Sequence, residues 1–336
     1  MKKPAGSDAK GGRPVVREPA MRGLPNVGRM RDWILGALLL VGLVLVVHHF
    51  VGWQSLLAPW QDISTGLLIT VIGLAAASYL LRAARVYDYC RPRLVGRFVP
   101  LVRLTILHNT ANNLMPMRTG ELVFPWLMYR YFGHPWLGST AMLLWIRLLD
   151  LHLFGLMALV VLYLREPAWW WPVSGLLWLG ALALFVVVGQ AAATARQGTE
   201  EGRRWRRLVL AVVAAAPADH ALIARLYVWT VLIWLLKFAA FATLLGYFVP
   251  ADFWRLLVGV MGAELSSVLP FHGVAGAGSY ELATVAALIP LGVDPAVALA
   301  GAVNLHLFLL GVTLLLFALA PLLPRPPATS GDRSDD

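Results

Sequence analysis

Charge is what this chain has least of. Of 336 residues, 28 are Lys or Arg and 18 are Asp or Glu, so 14% are charged while 59% are hydrophobic. A soluble domain keeps roughly a quarter of its residues charged to wet its exterior. Water is therefore excluded as the solvent for most of this surface, and the mean hydropathy of +0.70 agrees. Cysteine is scarcer still: Cys90 stands alone, which excludes an internal disulfide and a thiolate metal cluster. Catalytic signatures are missing too. There is no GxxxxGK[ST], HExxH, paired CxxC or GxSxG, so neither P-loop ATP hydrolysis nor a zincin or serine-hydrolase pattern is written here. Residues 273–278 are glycine-rich but follow no predicted strand and lack dinucleotide spacing. The longest loop, 190–220, is too short for a soluble catalytic domain, and no cofactor is expected.

What remains is apolar. Stretches of spanning length, about 20 residues, recur at 33–51, 63–81, 139–164, 169–189, 221–248 and 296–321. Two further apolar segments, 98–131 and 253–291, are cut by Pro, Gly and polar residues. The predicted architecture is an all-α polytopic membrane protein with about six spanning helices and two broken or re-entrant segments. Residues 1–32, basic and rich in Gly and Pro, and the tail 322–336 are expected to be disordered around one transmembrane domain, 33–321. The first apolar stretch has no cleavage site after it and reads as a retained helix rather than a signal peptide.

The formal charge of +10 has a topological reading. Arginines crowd the amino-terminal segment, the stretch after the second span (Arg82, Arg85, Arg91, Arg93, Arg97, Arg103) and the loop after the fourth (Arg196, Arg203, Arg204, Arg206, Arg207), while 52–62 has none. That alternation predicts a bacterial-type inner-membrane protein with both termini cytoplasmic, and it accounts for the charge without a nucleic-acid partner. It requires each broken segment to enter and leave on one side, as a re-entrant hairpin or as two crossings.

An internal repeat organises the chain. Ser78-Tyr79-Leu80-Leu81-Arg82-Ala83-Ala84 recurs loosely as Ile233-Trp234-Leu235-Leu236-Lys237-Phe238-Ala239, and Asn112-Asn113-Leu114-Met115-Pro116 as Ser266-Ser267-Val268-Leu269-Pro270. Leu-His-Leu-Phe appears at 151–154 and again at 305–308. All three recur in the same order at an offset of 154 or 155. Three spans separate the copies, 63–164 and 221–321, so they enter the membrane from opposite faces as an inverted repeat.

In inverted-repeat transporters, paired Pro- or Gly-interrupted segments point to a substrate site near the midplane. Here they run from Asn112 and Asn113 through Arg118 to Glu121, and from Ser266 through Pro270, His272, Gly276 and Gly278 to Glu281. Proline frees a carbonyl and glycine admits close backbone approach. Glu121 and Glu281 either cap the returning helices or carry function. Arg147, Asp150, Lys237 and Glu264 are further charges in apolar segments, where ionisable groups face an interior or a water-filled cavity. Arg147 and Asp150, three apart, share a helical face and can neutralise each other; Arg118 and Arg147 together suit an anionic phosphate. His152 and His306 are expected to hydrogen-bond between helices.

The run Asn112-Asn113-Leu114-Met115-Pro116-Met117-Arg118-Thr119-Gly120-Glu121, followed by Arg147-Leu148-Leu149-Asp150, resembles the NNLxPxRxGE and RxxD pattern of the lysylphosphatidylglycerol synthase transmembrane family. Pro270 with Gly276, Gly278 and Glu281 resembles its second, PxxGGxGxxE signature. The likeness spans roughly residues 30–320. The family includes the flippase half of multiple peptide resistance factors, hopanoid-associated membrane proteins and flippase-like proteins, so the resemblance implies movement or handling of a polar-headgroup lipid. The chain departs from it at Phe124, Pro125 and Trp126, where another basic residue is frequent, and at His272. The aminoacyl transferase domain of fused members is missing, so lysyl transfer is not expected. The expected function is a lipid translocase whose partner is a membrane lipid with an anionic or phosphate-containing headgroup. The alternatives are a membrane partner of a lipid-biosynthesis enzyme and an embedded transferase acting on a lipid-linked substrate.

Overall fold

The structure, a computed structural model, describes residues 30–184, 187, 212, 215–217, 219–266 and 273–325, apart from the side chains of 31–33, 35–36, 92 and 117–118. Residues 30–32, expected to be disordered, are the first turn of a helix; the rest of the expected disorder, apart from 322–325, and most of the basic loop after the fourth span lie outside the described residues.

The described residues form helices and no strands. A first helix α1 (Met30–Phe50) turns at Gly52 into two short helices, α2 (Trp53–Leu57) and α3 (Pro59–Asp62). The first half follows as α4 (Thr65–Tyr89), the single turn α5 (Arg91–Leu94), α6 (Phe98–Leu114), a 3-10 segment (Pro116–Leu122), α7 (Val123–Phe132) and α8 (Trp136–Arg165). After α9 (Trp170–Gly180) the second half runs α10 (His220–Phe248), α11 (Phe253–Ser266), a 3-10 turn (Val274–Gly276), α12 (Ser279–Leu288) and α13 (Pro295–Leu319). The same succession, long helix, medium helix, 3-10 turn, ten-residue helix, long helix, occurs twice. It follows the order of the sequence repeat, with the single turn α5 present in the first half alone among the described residues.

Five helical stretches are long and apolar enough to cross a membrane: Thr65–Tyr89, Trp136–Arg165, His220–Phe248, Val274–Leu291 and Pro295–Leu322. Ala37–Phe50 joined to Trp53–Asp62 across a 97° bend makes a sixth. The expected fourth span, 169–189, is seen as a shorter apolar helix, Trp170–Leu184, and its remainder is largely outside the described residues. Local chemistry sets the starts. Ser64 Oγ accepts from the amide of Leu67, Asp219 from that of Ala221, and Asp294 from those of Ala296 and Val297, satisfying amides that each helix leaves unpaired at its N-terminus.

Helix α4 runs to Tyr89, eight residues beyond the end predicted at Leu81. Arg82 and Arg85 therefore belong to the helix and not to the loop in which they were counted. The extension matters because α4 and α10, the leading helices of the two halves, form the most extensive helix pair among the described residues. Lipid tails are as apolar as leucine, so burial alone drives little association in a bilayer; small residues that let backbones approach do more. Ala75, Ala83, Ala240 and Ala242 are fully or almost fully buried on these two helices. Leucines and valines of α1, such as Leu38 and Leu45, are well exposed, as a lipid-facing helix requires.

Both broken segments turn where the sequence puts Pro and Gly. A methyl group on Gly120 would lie 2.4 Å from the amide nitrogen of Asn112 and 2.5 Å from the carbonyl of Ala111. Only glycine lets the 3-10 segment press against the end of α6. In the second half the backbone reverses through Ala275 (φ 54°), Gly276 (φ 82°) and Gly278 (φ 83°) before α12 begins. Ala275 is a non-glycine residue held in the left-handed region, a conformation that costs of order 1–3 kcal/mol and persists only where surrounding contacts impose it.

Candidate functional site

Where the two halves meet, a cleft of about 640 Å³, mouth included, opens between α4, α6, α8, α10, α11, α12 and α13. Periodicity explains which side chains reach it. Tyr79 and Arg82 stand three apart on α4, Trp234 and Lys237 three apart on α10, and Asn109, Asn112 and Asn113 at i, i+3 and i+4 on α6, so each helix offers one polar stripe. Arg147 from α8, Glu264 from α11, Tyr280 from α12 and His306 from α13 complete the lining, with Ala275 and Gly276 from the second break.

Among the described residues, three charge networks surround the cleft. In the first, Asp150 is the hub: Arg85 Nη1 donates to its Oδ1 at 2.6 Å, Trp234 Nε1 donates to the same oxygen at 3.0 Å, and Arg147 Nη1 lies 3.5 Å from Oδ2. Arg85 also donates to Thr230 Oγ1 at 2.8 Å, and Arg147 Nη2 donates to Glu121 Oε1 at 2.7 Å. The Arg85 and Asp150 side chains are only 3% and 6% exposed, so this is a buried ion network stitching α4, α8 and α10 together. In the second, Lys237 Nζ donates to Glu264 Oε2 at 2.6 Å.

The third network fixes a proton. His306 Nε2 lies 2.8 Å from the carbonyl oxygen of Ala275, and Nδ1 lies 2.6 Å from Glu281 Oε1. A carbonyl can only accept, so Nε2 carries a hydrogen. A hydrogen must then also lie between Nδ1 and the carboxyl group, whether as imidazolium with carboxylate or imidazole with carboxylic acid. The pair holds one shared proton and is neutral overall in either form. Glu281 Oε2 meanwhile accepts from the amide of Gly278 at 2.8 Å, so the same residue caps α12 and holds the proton.

Of the residues singled out from sequence, Asn112, Asn113, Arg147, Lys237, Glu264 and Gly276 line the cleft directly. Glu121 and Asp150 stand behind it as partners of Arg147, and Glu281 as the partner of His306. Gly278 faces outward against Leu39 of α1. The Arg118 side chain, His272 and the run 267–270 lie outside the described residues. Sequence reasoning missed Tyr79, Arg82, Arg85, Asn109, Trp234 and Tyr280. Arg82 was readable in principle, because it opposes Lys237 across the repeat.

On the other side of the second break a larger apolar groove, about 1230 Å³, runs between α1 and α12 with the start of α13. Leu38, Leu39, Leu43, Leu282, Val285 and Leu299 are among its walls. Gly278 and Glu281 face this groove, while Gly276 and Tyr280 face the cleft. One turn of chain separates polar from apolar space.

Apolar spans in this number, with ionisable groups gathered inside them, define a multi-pass membrane protein. The family model described as the lysylphosphatidylglycerol synthase TM region matches residues 33–316, and the chain belongs to that family. No curated protein and no solved structure matches it significantly.

Proposed function

We propose that the protein is a lipid translocase of a bacterial-type inner membrane, with both termini cytoplasmic, which carries a polar headgroup between leaflets through the cleft between its inverted halves. The observation that carries this reading is the cleft itself: a charged space walled by both repeats inside helices apolar enough for lipid. A headgroup there exchanges water for Asn112, Asn113, Arg147, Lys237 and Glu264, while its tails stay in the bilayer or in the apolar groove beyond Gly278 and Glu281. Arg118 and His272, next to the two breaks in sequence, are assigned to headgroup binding as well. Rocking of one half against the other would alternate access. The pairing of Glu121, Asp150, Glu264 and Glu281 with basic side chains suits a charge-balanced conduit better than an embedded transferase, which needs a carboxylate free to act as base.

The test is reconstitution into liposomes with head-labelled fluorescent lipid and an impermeant quencher. The wild-type protein is expected to expose inner-leaflet label faster than empty liposomes do, and Glu121→Gln, which uncouples Arg147, to slow it. Wild-type exchange no faster than in empty liposomes under every ion gradient tried would overturn the reading.

A further inference from the structure

The cations of the cleft are not equivalent. Lys237 has Glu264 at 2.6 Å, and Arg147 has Glu121 at 2.7 Å and Asp150 at 3.5 Å. Arg82, half-buried on α4 and facing the same cleft, has no carboxylate within ion-pair distance among the described residues. Its contact is with the ring of Trp234, whose centroid lies 5.3 Å from the guanidinium carbon. A ring face is a weak partner for a cation and leaves the guanidinium N–H groups without acceptors among the described residues.

The repeat accentuates the difference. Arg82 and Lys237 occupy equivalent positions, 155 residues apart, but the partner of Lys237 has no counterpart: counting back 154 or 155 residues from Glu264 gives Thr110 or Asn109. The first half thus keeps the cation and lacks the anion. A second donor stands at the same cleft. Tyr280 is 3% exposed and lines the cleft, yet its hydroxyl has no hydrogen-bond partner among the described residues, a costly state for a buried polar group.

We infer that Arg82, with the Tyr280 hydroxyl, is the anchor for an anionic phosphate group, so that the headgroup supplies the negative charge which Glu264 supplies to the other half. The planar fork of arginine matches phosphate oxygens two at a time. This rests on the reading that the cleft receives a headgroup, and it moves the role expected of Arg147 to a different residue. Arg147 is held by its own carboxylates.

The test titrates the purified full-length protein in detergent with three probes. These are dihexanoyl-phosphatidylglycerol, whose phosphate is its net charge, dihexanoyl-phosphatidylcholine, whose phosphate is offset, and inorganic phosphate. Dihexanoyl-phosphatidylglycerol is expected to bind at least ten-fold more tightly than the choline lipid. Arg82→Gln should remove most of that preference, Arg82→Lys restore part of it, and Tyr280→Phe weaken binding about three-fold. Asn109→Glu, which supplies the carboxylate that the first half lacks, should suppress anion binding as Arg82→Gln does. Thermal unfolding of Arg82→Gln should match or exceed wild type, because no internal ion pair is lost. Lipid bound ten-fold more tightly than inorganic phosphate assigns the site to a lipid; equal affinities assign it to a free phosphate. Unchanged preference in both Arg82→Gln and Asn109→Glu overturns the inference. If lipid exchange persists while Arg82→Gln binds normally, the anchor fails and the translocase reading stands. Arg82-dependent binding without exchange has the opposite meaning.

Discussion

The two halves of this protein share a backbone plan and divide the chemistry between them. Asp150 and Asn304 are equivalent, 154 residues apart, and each accepts from an indole N–H: Trp234 at 3.0 Å for Asp150, Trp60 at 2.7 Å for Asn304. Asp150 goes on to bind Arg85 and Arg147, whereas Asn304 donates to the carbonyl of Leu56 at 3.2 Å. His152 and His306 are also equivalent, and each points Nε2 at a carbonyl oxygen, of Trp178 and Ala275 respectively. The other nitrogen meets the Tyr227 hydroxyl in the first half and the Glu281 carboxyl in the second. Arg82 lacks the carboxylate that Lys237 has. The architecture therefore needs an acceptor, a histidine and a basic residue at these places, and whether they carry charge is a separate variable. In the first half the fixed charge ties helices together; in the second the Lys237–Glu264 pair joins α10 to α11, and a shared proton sits beside the break.

The largest effect expected from breaking this comparison comes at its first pair. Asp150→Ala strands Arg85, 3% exposed, without its carboxylate, and removal of one partner from a buried ion pair costs about 3–5 kcal/mol. Asn304→Ala leaves the Trp60 indole and the Leu56 carbonyl unpaired but strands no charge, for roughly 1–3 kcal/mol. Thermal unfolding in detergent should rank Asp150→Ala well below Asn304→Ala. Equal losses would mean that the charge of Asp150 adds nothing to its hydrogen bonds.

A smaller effect separates the first break from the packing of α11 on α12. A methyl on Gly120 collides with backbone atoms at 2.4–2.5 Å, which cannot rotate away. One on Gly262 of α11 meets the Ala283 carbonyl and the Ala287 methyl at 2.8 Å, where α11 and α12 can part slightly. Overpacking of this kind costs about 1–3 kcal/mol. Gly120→Ala is expected at or above the top of that range and Gly262→Ala near its bottom. Gly311→Ala, in open space on α13, should be neutral or stabilising by up to about 1 kcal/mol. Unfolding temperatures in that order would confirm that the first break yields less than the α11–α12 contact; Gly120→Ala as stable as Gly311→Ala would refute it.

Much of this plan was legible from sequence, for a physical reason. Lipid makes charge expensive, so Glu121, Arg147, Asp150, Lys237, Glu264 and Glu281 stood out against apolar runs, and duplication marked both breaks. Who pairs with whom was not legible. Lys237 meets Glu264 and Arg147 meets Glu121 across 27 and 26 residues, and only the packing of α10 on α11 and of the first break on α8 decides that. Arg82 and Arg85 were hidden by a boundary. They follow an apolar run and precede Arg91, Arg93 and Arg97, so they read as loop charges until α4 is seen to continue to Tyr89. Tyr280 and Trp234 carried no signal, because an aromatic residue in an apolar chain is ordinary until its polar tip is found buried.

The smallest change in stability should accompany the most telling change in behaviour. Glu281 has two duties, capping α12 through the Gly278 amide and sharing a proton with His306, and Glu281→Gln separates them. The glutamine oxygen can still accept from Gly278 at the site of the present 2.8 Å bond. Its amide N–H₂ can donate to His306 Nδ1 in place of the proton now held there, while Nε2 goes on donating to Ala275. Every hydrogen bond survives, so thermal unfolding should shift by less than about 1 kcal/mol. The shared proton, however, is gone, and His306 is locked as a neutral donor. If the pair only caps a helix, lipid exchange by Glu281→Gln will respond to an imposed proton gradient as wild type does. If the pair is the second half's proton site, the response will vanish while exchange without a gradient persists. A change at the first half's histidine, His152→Gln, removes a ring whose nitrogens meet the Tyr227 hydroxyl and the Trp178 carbonyl and should leave the gradient response intact. Loss of the response in both variants would show that the halves do not divide the work as their hydrogen bonds suggest.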